Sequence, residues 1–286
     1  MIDQRIKIWN TNWKYLIILD ACRYDYFEKV YKDYHMLKSG RLEKVVSLSS
    51  STTEWLEKVF QDRECKNIVY ISANPYINSK GIPYRGFNPK PIVSRFYKVV
   101  DVWDRGWSEE LSTVHPREVN KVALVASRLY SDKRLIIHYI QPHFPYLSLA
   151  QEGIKITELR IYKERGPTAT RLIDRIRGFI RWKIFGKLLG DRGLKLAFKL
   201  VGKPLDYDEL IARKLGVEGL RRAYEENLKL VLSYVNKLVP HLKGKELVVI
   251  TADHGELLGE RGLFGHPEGV RVPELIEVPW LEIGGN

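Results

Sequence analysis

The stretch that most constrains this chain lies near its C-terminal end, where an apolar run meets a glycine-rich segment. Residues 247–252 read Leu-Val-Val-Ile-Thr-Ala, and residues 253–256 read Asp-His-Gly-Glu. The first run predicts a buried strand, and the glycines after it predict a loop. A carboxylate beside an imidazole suits a divalent cation such as Zn²⁺ or Mn²⁺, and His266, further along the loop, could return to this place. The alternative is a helix cap made by the aspartate, with both histidines solvated.

A second apolar run repeats this layout near the start of the chain. Tyr15–Leu19 is predicted to be a buried strand, and Asp20 follows it directly. Asp20 is therefore a second candidate metal ligand. Arg23 precedes a predicted helix that includes Asp25. The Arg23 guanidinium could pair with Asp25 or another carboxylate, or it could face an oxyanion of a substrate.

A cluster of hydroxyl side chains, residues 49–53, precedes another predicted helix. Ser51 and Glu54 have the spacing of a capping box, which predicts that a helix begins here. Capping could be the whole role of these hydroxyls. The alternative is that one of them is a nucleophile, because a hydroxyl at a helix N-terminus beside a divalent cation loses its proton more easily.

Two further apolar runs, residues 67–71 and 134–137, bring the predicted strands that end in polar residues to four. His138 and His143 follow the second of these runs, in a loop stiffened by prolines. In an open α/β sheet, ligands bind outside the carboxyl ends of the strands, so these ends are expected to converge on one site. Residues 75–107 are rich in Pro, Gly, Tyr and Trp, and they are predicted to form long surface loops.

The overall composition is that of an ordinary globular protein. The chain has 286 residues, of which 44% are hydrophobic, and it can bury the core of one large domain or two small ones. Two cysteines, Cys22 and Cys65, cannot form a disulfide framework. The sequence shows neither the apolar core of a signal peptide nor an apolar run of membrane-spanning length, and we therefore predict a cytoplasmic location.

A net charge of +12 implies an anionic partner, and most of the excess lies in one segment. Residues 171–203 contain ten Lys and Arg against two Asp, with apolar residues at helical spacing. This basic helix could pack on its own domain, lie peripherally on an anionic membrane, or bind a phosphate-rich partner. A nucleic-acid-binding protein is therefore one alternative to an enzyme.

In combination, the motifs resemble the sulfatase-like branch of the alkaline phosphatase superfamily, in order and rough spacing over most of the chain. They are Asp20-x-x-Arg23-x-Asp25-x-Phe27, the hydroxyl cluster, His138-x-x-x-x-His143-x-Pro145-Tyr146, and Asp253-His254-Gly255-Glu256-x-Leu258-Gly259-Glu260-x-Gly262 with His266. The resemblance implies a three-layer α/β/α sandwich around a mostly parallel mixed sheet. We expect one catalytic domain over residues 1–286, with a basic helical insertion at about 151–219. The resemblance also implies in-line attack on a phosphate or sulfate ester.

One departure from the sulfatases concerns the nucleophile. Those enzymes carry a Cys or Ser in a Cys-x-Pro-x-Arg type motif that is oxidised to formylglycine, and neither Cys22 nor Cys65 has that context. A phosphate ester is therefore favoured over a sulfate ester. The hydroxyl cluster instead resembles the threonine nucleophile region of phosphoethanolamine transferases and lipoteichoic-acid synthases. That alignment favours Ser50 as the nucleophile, whereas counting from the buried side of the helix favours Thr52, and both are retained.

The resemblance further implies roles for the residues at the strand ends. One divalent ion, Zn²⁺, Mn²⁺, Mg²⁺ or Ca²⁺, would be held by the nucleophile together with Asp20, Asp253 and His254. Arg23 would stabilise charge on the transferring group. His143 and His266 could hold a second ion, or could bind the substrate and protonate its leaving group. The substrate would be a phosphorylated or sulfated small molecule, a glycan or a lipid-linked compound. A non-catalytic binding protein on the same fold is the remaining alternative.

Overall fold

The computed structural model of the protein describes residues 2–151, 207–242 and 246–284. The basic segment 171–203 and most of the predicted insertion lie outside these residues, so the expectations about them stay predictions. The strands are β1 (Ile2–Asp3), β2 (Tyr15–Leu19), β3 (Arg41–Val46), β4 (Cys65–Ser72), β5 (Phe96–Asp101), β6 (Trp107–Ser108), β7 (Thr113–Val114), β8 (Arg134–Tyr139), β9 (Val248–Ala252), β10 (Leu257–Leu258), β11 (Phe264–Gly265) and β12 (Glu277–Ile283).

Helices connect most of these strands. They are α1 (Gln4–Asn10), α2 (Tyr24–Val30), α3 (Thr52–Phe60), α4 (Lys90–Val93), α5 (Val102–Gly106), α6 (Pro116–Leu129), α7 (Ser148–Gln151), α8 (Tyr207–Leu238) and α9 (Pro273–Ile276). Short 3₁₀ turns lie at Tyr31–Asp33, Val239–His241 and Glu260–Gly262. Helix α8 contains a break at Gly216, whose φ of 76° lies in the left-handed region that glycine adopts without strain.

Within the described residues, eight strands form one mixed sheet in the order β1-β3-β12-β9-β2-β8-β4-β5. Strand β12 runs antiparallel to both of its neighbours, and the other pairs are parallel. The central strands β2 and β9 are buried along their whole length. Burial on both faces is the reason that these strands are continuous apolar runs rather than alternating ones.

Neighbouring residues of strand β8 show that helices cover both faces of the sheet. Consecutive side chains of a strand point to opposite faces. The ring of His138 lies 6.4 Å from the ring of Trp55 in α3, whereas the hydroxyl of Tyr139 donates to Asn120 in α6. Asn120 in turn donates to the carbonyl of Tyr234 in α8. The predicted three-layer α/β/α architecture is therefore confirmed.

The prediction that residues 75–107 form only surface loops was wrong. This segment contains α4, α5 and β5, and β5 pairs in parallel with β4 at one edge of the sheet. The side chains of β5 are half-exposed and include Lys98, so β5 lacks the apolar run that marks a buried strand. Strand β12 was also missed, because Pro279 interrupts its apolar pattern.

Candidate metal centre

The carboxyl ends of strands β2 and β9 bring two carboxylates together, as the strand-end argument predicted. The two strands are adjacent and parallel, and their last residues, Leu19 and Ala252, are paired in register. Asp20 and Asp253 each follow directly, and they are only 3% and 0% exposed. Two buried carboxylates side by side are costly unless a cation or a proton lies between them.

The hydroxyl of Thr52 lies against both carboxylates. Helix α3 begins at Thr52, and the side chain of Ser51 caps it by accepting the N–H of Glu54, as the capping-box spacing predicted. Thr52 Oγ1 donates to Asp253 Oδ2 at 2.7 Å and lies 3.4 Å from Asp20 Oδ1. The first residue of the helix is thus placed with its hydroxyl in the centre and the positive end of the helix behind it.

Buried Gln4 links α3 to the end of β9 and so sets where Thr52 lies. Its Oε1 accepts from the indole N–H of Trp55, three residues into the helix. Its Nε2 donates to the carbonyl of Ala252 and to Thr251 Oγ1 at 2.6 and 2.8 Å. One side chain from the N-terminal helix therefore fixes the spacing between the start of α3 and the strand that ends at Asp253.

The tautomer of His254 is set by its own loop. His254 Nδ1 lies 2.8 Å from the carbonyl oxygen of Gly255, which can only accept, so Nδ1 carries the proton. Burial lowers the pKa of His254 to about 4, so the ring is neutral at pH 7. Its unprotonated Nε2 then faces three oxygens, at 3.3 Å from Thr52, 3.5 Å from Asp253 and 3.6 Å from Asp20.

Neutral groups hold the two carboxylates in place. Asp253 Oδ1 accepts the backbone N–H of Ala21 at 3.0 Å and that of His254 at 2.9 Å. Asp20 Oδ2 accepts the side-chain amide of Asn74 at 2.8 Å. Burial and the neighbouring Asp253 raise the pKa of Asp20 well above its usual value. Asp253, although buried, has a lowered pKa because the neighbouring histidines and its hydrogen bonds favour the ionised form.

These donor atoms fit a divalent cation. Two carboxylate oxygens, an unprotonated imidazole nitrogen and a hydroxyl oxygen converge. The contacts that the hydroxyl and the imidazole make within this set are 2.7 to 3.6 Å long, and ligand oxygens of the two carboxylates lie within 4.8 Å of each other. In a tetrahedral zinc site with bonds of about 2.0–2.1 Å, neighbouring donors are about 3.3 Å apart. The two carboxylate oxygens and the Nε2 lone pair of His254 repel one another unless a positive charge lies between them. The hydrogen-bond partners described for the two carboxylates include no Lys or Arg side chain.

A second group of potential ligands adjoins the first. The ligand atoms of His143, Glu256 and His266 all lie within 4.8 Å of one another. His266 Nδ1 lies 2.9 and 3.0 Å from the two oxygens of Glu256, and its ring centroid is 4.6 Å from that of His254. Sequence reasoning assigned no role to Glu256, although it follows the Asp-His-Gly stretch directly. The structure therefore supplies a carboxylate beside the predicted histidine pair.

Asn227 of helix α8 holds the loop that carries His143. Its Nδ2 lies 3.0–3.1 Å from the carbonyl oxygens of Pro142, His143 and Pro145, and its Oδ1 accepts the N–H of Leu147. Asn227 is fully buried, so these contacts satisfy a side chain that would be costly to bury alone. The predicted stiff loop is thus held by a helix far along the chain.

Ser50, the other candidate nucleophile, is directed elsewhere. Its Oγ donates to the carbonyl of Pro267 at 2.8 Å and accepts the N–H of Val270 at 3.2 Å. These two contacts hold the loop that carries His266. Of the two hydroxyls retained from the sequence, the structure brings Thr52 to the carboxylates and assigns Ser50 to this loop.

Arg23 pairs with carboxylates, which is one of the two arrangements left open by the sequence. Its guanidinium contacts both oxygens of Asp25, at 2.9 and 2.7 Å, and Glu260 at 2.7 Å. It also donates to the carbonyl of Glu256. Four of the five guanidinium N–H groups are occupied in this way. The geometry therefore favours a structural role for Arg23, which anchors the loop that carries Glu256.

Two residues next to the carboxylates were missed or left without a role. Asn74 follows strand β4, and its position after a strand end was the available signal. His138 lies in β8 with its Nδ1 2.8 Å from the hydroxyl of Tyr70. A ligand atom of His138 lies within 4.8 Å of those of Asp20 and Asp253. Burial lowers the pKa of His138 to about 4, so it adds no charge to the centre at pH 7.

Comparison with known proteins bears on the fold of this chain. No family model and no curated protein matches the sequence. Among solved structures, the soluble domain of lipooligosaccharide phosphoethanolamine transferase A from Neisseria meningitidis is similar, with a TM-score of 0.53 and 15% identity over 94% of this chain and 75% of that chain. Against the integral membrane form of that transferase, this chain spans 48% of the length.

Two more structures extend the comparison. The C-terminal periplasmic domain of EptC from Escherichia coli, in complex with Zn, has a TM-score of 0.55 and 13% identity, covering 99% of this chain and 75% of that chain. A 2-O GAG sulfatase has a TM-score of 0.51 and 10% identity, covering 96% of this chain and 65% of its own. The chain thus shares the fold of these phosphoethanolamine transferase and sulfatase structures, which is the fold that the motifs implied.

None of the helices within residues 2–151, 207–242 and 246–284 is long and apolar enough to cross a bilayer. The similar EptC domain from Escherichia coli is periplasmic. The cytoplasmic location expected from the sequence stays a prediction.

Proposed function

We propose that this protein is a metal-dependent phosphotransferase or phosphoester hydrolase in which Thr52 is the nucleophile. The observation that carries this proposal is the position of Thr52 Oγ1, 2.7 Å from Asp253 Oδ2 and 3.3 Å from His254 Nε2 at the first residue of α3. Asp20, Asp253 and His254 are the proposed protein ligands. Phosphate is favoured over sulfate because neither cysteine lies in a formylglycine motif.

The surroundings of Thr52 suit a nucleophile that must ionise near neutral pH. A divalent ion held by the three ligands would supply positive charge that lowers the pKa of the hydroxyl and offsets charge on the transferring group. The N-terminus of α3 adds a partial positive charge on the same side. The Gln4 bridge keeps the hydroxyl close to Asp253, so little reorganisation precedes attack.

The proposed reaction has two displacements. Thr52 Oγ1 loses its proton to solvent and forms a bond to phosphorus, while the bond from phosphorus to the leaving oxygen breaks. A proton delivered through His143 or His266 neutralises that oxygen. Water or an acceptor hydroxyl then attacks phosphorus, loses its proton, and releases Thr52. Glu256 orients His266 through the contact at Nδ1.

The proposed substrate is a phosphate ester on a small molecule, a glycan or a lipid. In support, similar structures bear names that include lipooligosaccharide and phosphoethanolamine. Peripheral membrane contact through residues 171–203 is proposed from the sequence alone.

Trapping the covalent intermediate tests the proposal. The protein, loaded with Zn²⁺ or Mn²⁺, is mixed with a bis-nitrophenyl phosphodiester, quenched in acid and mapped by peptide mass spectrometry. We expect an adduct on Thr52, and we expect Thr52→Ala to lower turnover by at least about a thousand-fold. Thr53→Ala is the matched control, because that hydroxyl contacts Ser51 and none of the proposed ligands. Turnover that survives Thr52→Ala without any adduct would refute a threonine nucleophile.

A further inference from the structure

We propose that Tyr224 is a positioning residue for this centre. Its hydroxyl holds the turn after Asp20 in the conformation that fixes the orientation of the Asp253 carboxylate. The inference deepens the proposed function, since it concerns the same candidate ligands. It adds a residue from helix α8, about thirty positions before Asp253 in the chain. Helix α8 contacts α6 on the face of the sheet opposite α3.

The turn after Asp20 has an unusual backbone. Ala21 has a φ of 59°, in the left-handed region that residues with a side chain adopt rarely. This conformation directs the N–H of Ala21 to Asp253 Oδ1 at 3.0 Å. Strained backbone persists only where its surroundings hold it, and it concentrates at functional sites.

Tyr224 stabilises this turn through hydrogen bonds at both of its ends. Its hydroxyl donates to the carbonyl of Ala21 at 2.7 Å and accepts the N–H of Arg23 at 2.9 Å. The side chain is fully buried, and its ring lies edge-on to the ring of Tyr26 at 5.0 Å. One hydroxyl therefore closes the turn, and the ring that carries it is packed in the core.

The orientation of Asp253 follows from this turn. Asp253 Oδ1 accepts two backbone N–H groups, those of Ala21 and His254, and Oδ2 is therefore directed to Thr52. Without the Tyr224 hydroxyl, Ala21 can relax toward the ordinary region of negative φ. Its N–H then leaves Oδ1, and the carboxylate can rotate about its last bond. A ligand that rotates binds a cation less tightly.

The test compares Tyr224→Phe with Tyr34→Phe in the full chain. Tyr34 is a matched control because its hydroxyl also bonds to a main-chain carbonyl, that of Lys229 in α8, away from the centre. The first readout is Zn²⁺ affinity, measured by competition with a chromophoric chelator. We expect Tyr224→Phe to weaken Zn²⁺ binding by about 10–100-fold. Tyr34→Phe should stay within about twofold of the wild type, at a similar loss of thermal stability.

A second readout uses metal-free protein. Hydrogen exchange of the peptide that contains residues 20–25 should be faster in Tyr224→Phe and unchanged in Tyr34→Phe. Adding Ala21→Gly to Tyr224→Phe should restore most of the Zn²⁺ affinity, because glycine adopts positive φ without strain. A double variant that binds as weakly as Tyr224→Phe would overturn the role assigned to the turn.

The outcomes separate this inference from the proposed function. If the wild type and Tyr224→Phe bind Zn²⁺ equally well, the inference fails and the proposed function stands. If the wild type binds no divalent ion, the proposed function fails. In that case, hydrogen exchange at residues 20–25 still tests whether Tyr224 stabilises the turn. Exchange that is unchanged in Tyr224→Phe would overturn that role, whereas faster exchange would support it.

Discussion

Replacing Asp253 with Asn is expected to have opposite effects on the metal-free and the metal-loaded protein. The amide keeps Oδ1 as an acceptor for the N–H groups of Ala21 and His254. Its NH₂ group replaces the charged oxygen that faces Thr52 Oγ1 and His254 Nε2. The change removes a buried negative charge beside Asp20, and it also removes a metal ligand.

The distance between the two carboxylates sets the size of the expected stabilisation of the metal-free protein. Ligand oxygens of Asp20 and Asp253 lie within 4.8 Å of each other. Two unit charges at that separation repel by about 3.5 kcal/mol at an effective dielectric constant of about 20. Burial and this repulsion raise the pKa of Asp20. The backbone hydrogen bonds that favour ionised Asp253 end on Oδ1 and are kept by the amide, so the variant loses the repulsion and keeps these contacts. At pH 8 we therefore expect Asp253→Asn to raise the unfolding free energy of metal-free protein by about 1–3 kcal/mol.

Thermal unfolding in a chelator, and again in excess Zn²⁺ or Mn²⁺, measures both effects. In chelator, the variant should melt roughly 2–6 °C above the wild type. With free ion at about 1,000 times the dissociation constant, the wild type should gain about 4.1 kcal/mol and the variant almost nothing. The order of stability therefore reverses between the two conditions.

Asp208→Asn is the control, because Asp208 is a buried carboxylate that accepts from the hydroxyl of Tyr146. It should not stabilise the metal-free protein, and it should leave the gain from the ion intact. A metal-free Asp253→Asn protein that is less stable than the wild type would refute the argument from repulsion. An equal gain from the ion in both proteins would refute Asp253 as a ligand.

Three further outcomes follow from single contacts. Ser50→Ala removes two hydrogen bonds worth about 1 kcal/mol each from the His266 loop, so turnover should fall by at most about thirtyfold while mass spectrometry still finds the adduct on Thr52. The pKa of His138 is about 4 in the fold against 6.5 as the reference, so the stability it contributes is present above pH 6.5 and is lost as the pH falls toward 4. In urea titrations in chelator, the wild type should lose about 3 kcal/mol more unfolding free energy than His138→Gln between pH 6.5 and pH 4. Equal losses in the two proteins would contradict this contribution. Gly255→Ala would place a Cβ 2.1 Å from a carbonyl oxygen, so urea unfolding should show a loss of about 3 kcal/mol or more, and a loss below about 1 kcal/mol would contradict the close approach.

Local sequence pattern was enough to predict the buried strands and the kind of chemistry at their ends. Tyr15–Leu19 and Val248–Ala252 were predictable because strands covered on both faces must be continuously apolar. Asp20 and Asp253 could then be placed together, because parallel strands end at the same edge of a sheet. The start of α3 was predictable from the local spacing of Ser51 and Glu54. Each of these inferences uses only local pattern and a general rule of sheet geometry.

Which side chains meet depends on how the whole chain packs. Ser50 and Thr52 stand two residues apart and have the same chemistry, so local pattern could not separate them. Contacts from distant residues separate them: Asp253 lies against Thr52, and the loop at Pro267 lies against Ser50. The role of Tyr224 was hidden for the same reason, because it depends on contacts between segments far apart in the chain. A sequence shows which groups are available, whereas distances between remote segments are set by the packing of the whole sheet and its helices.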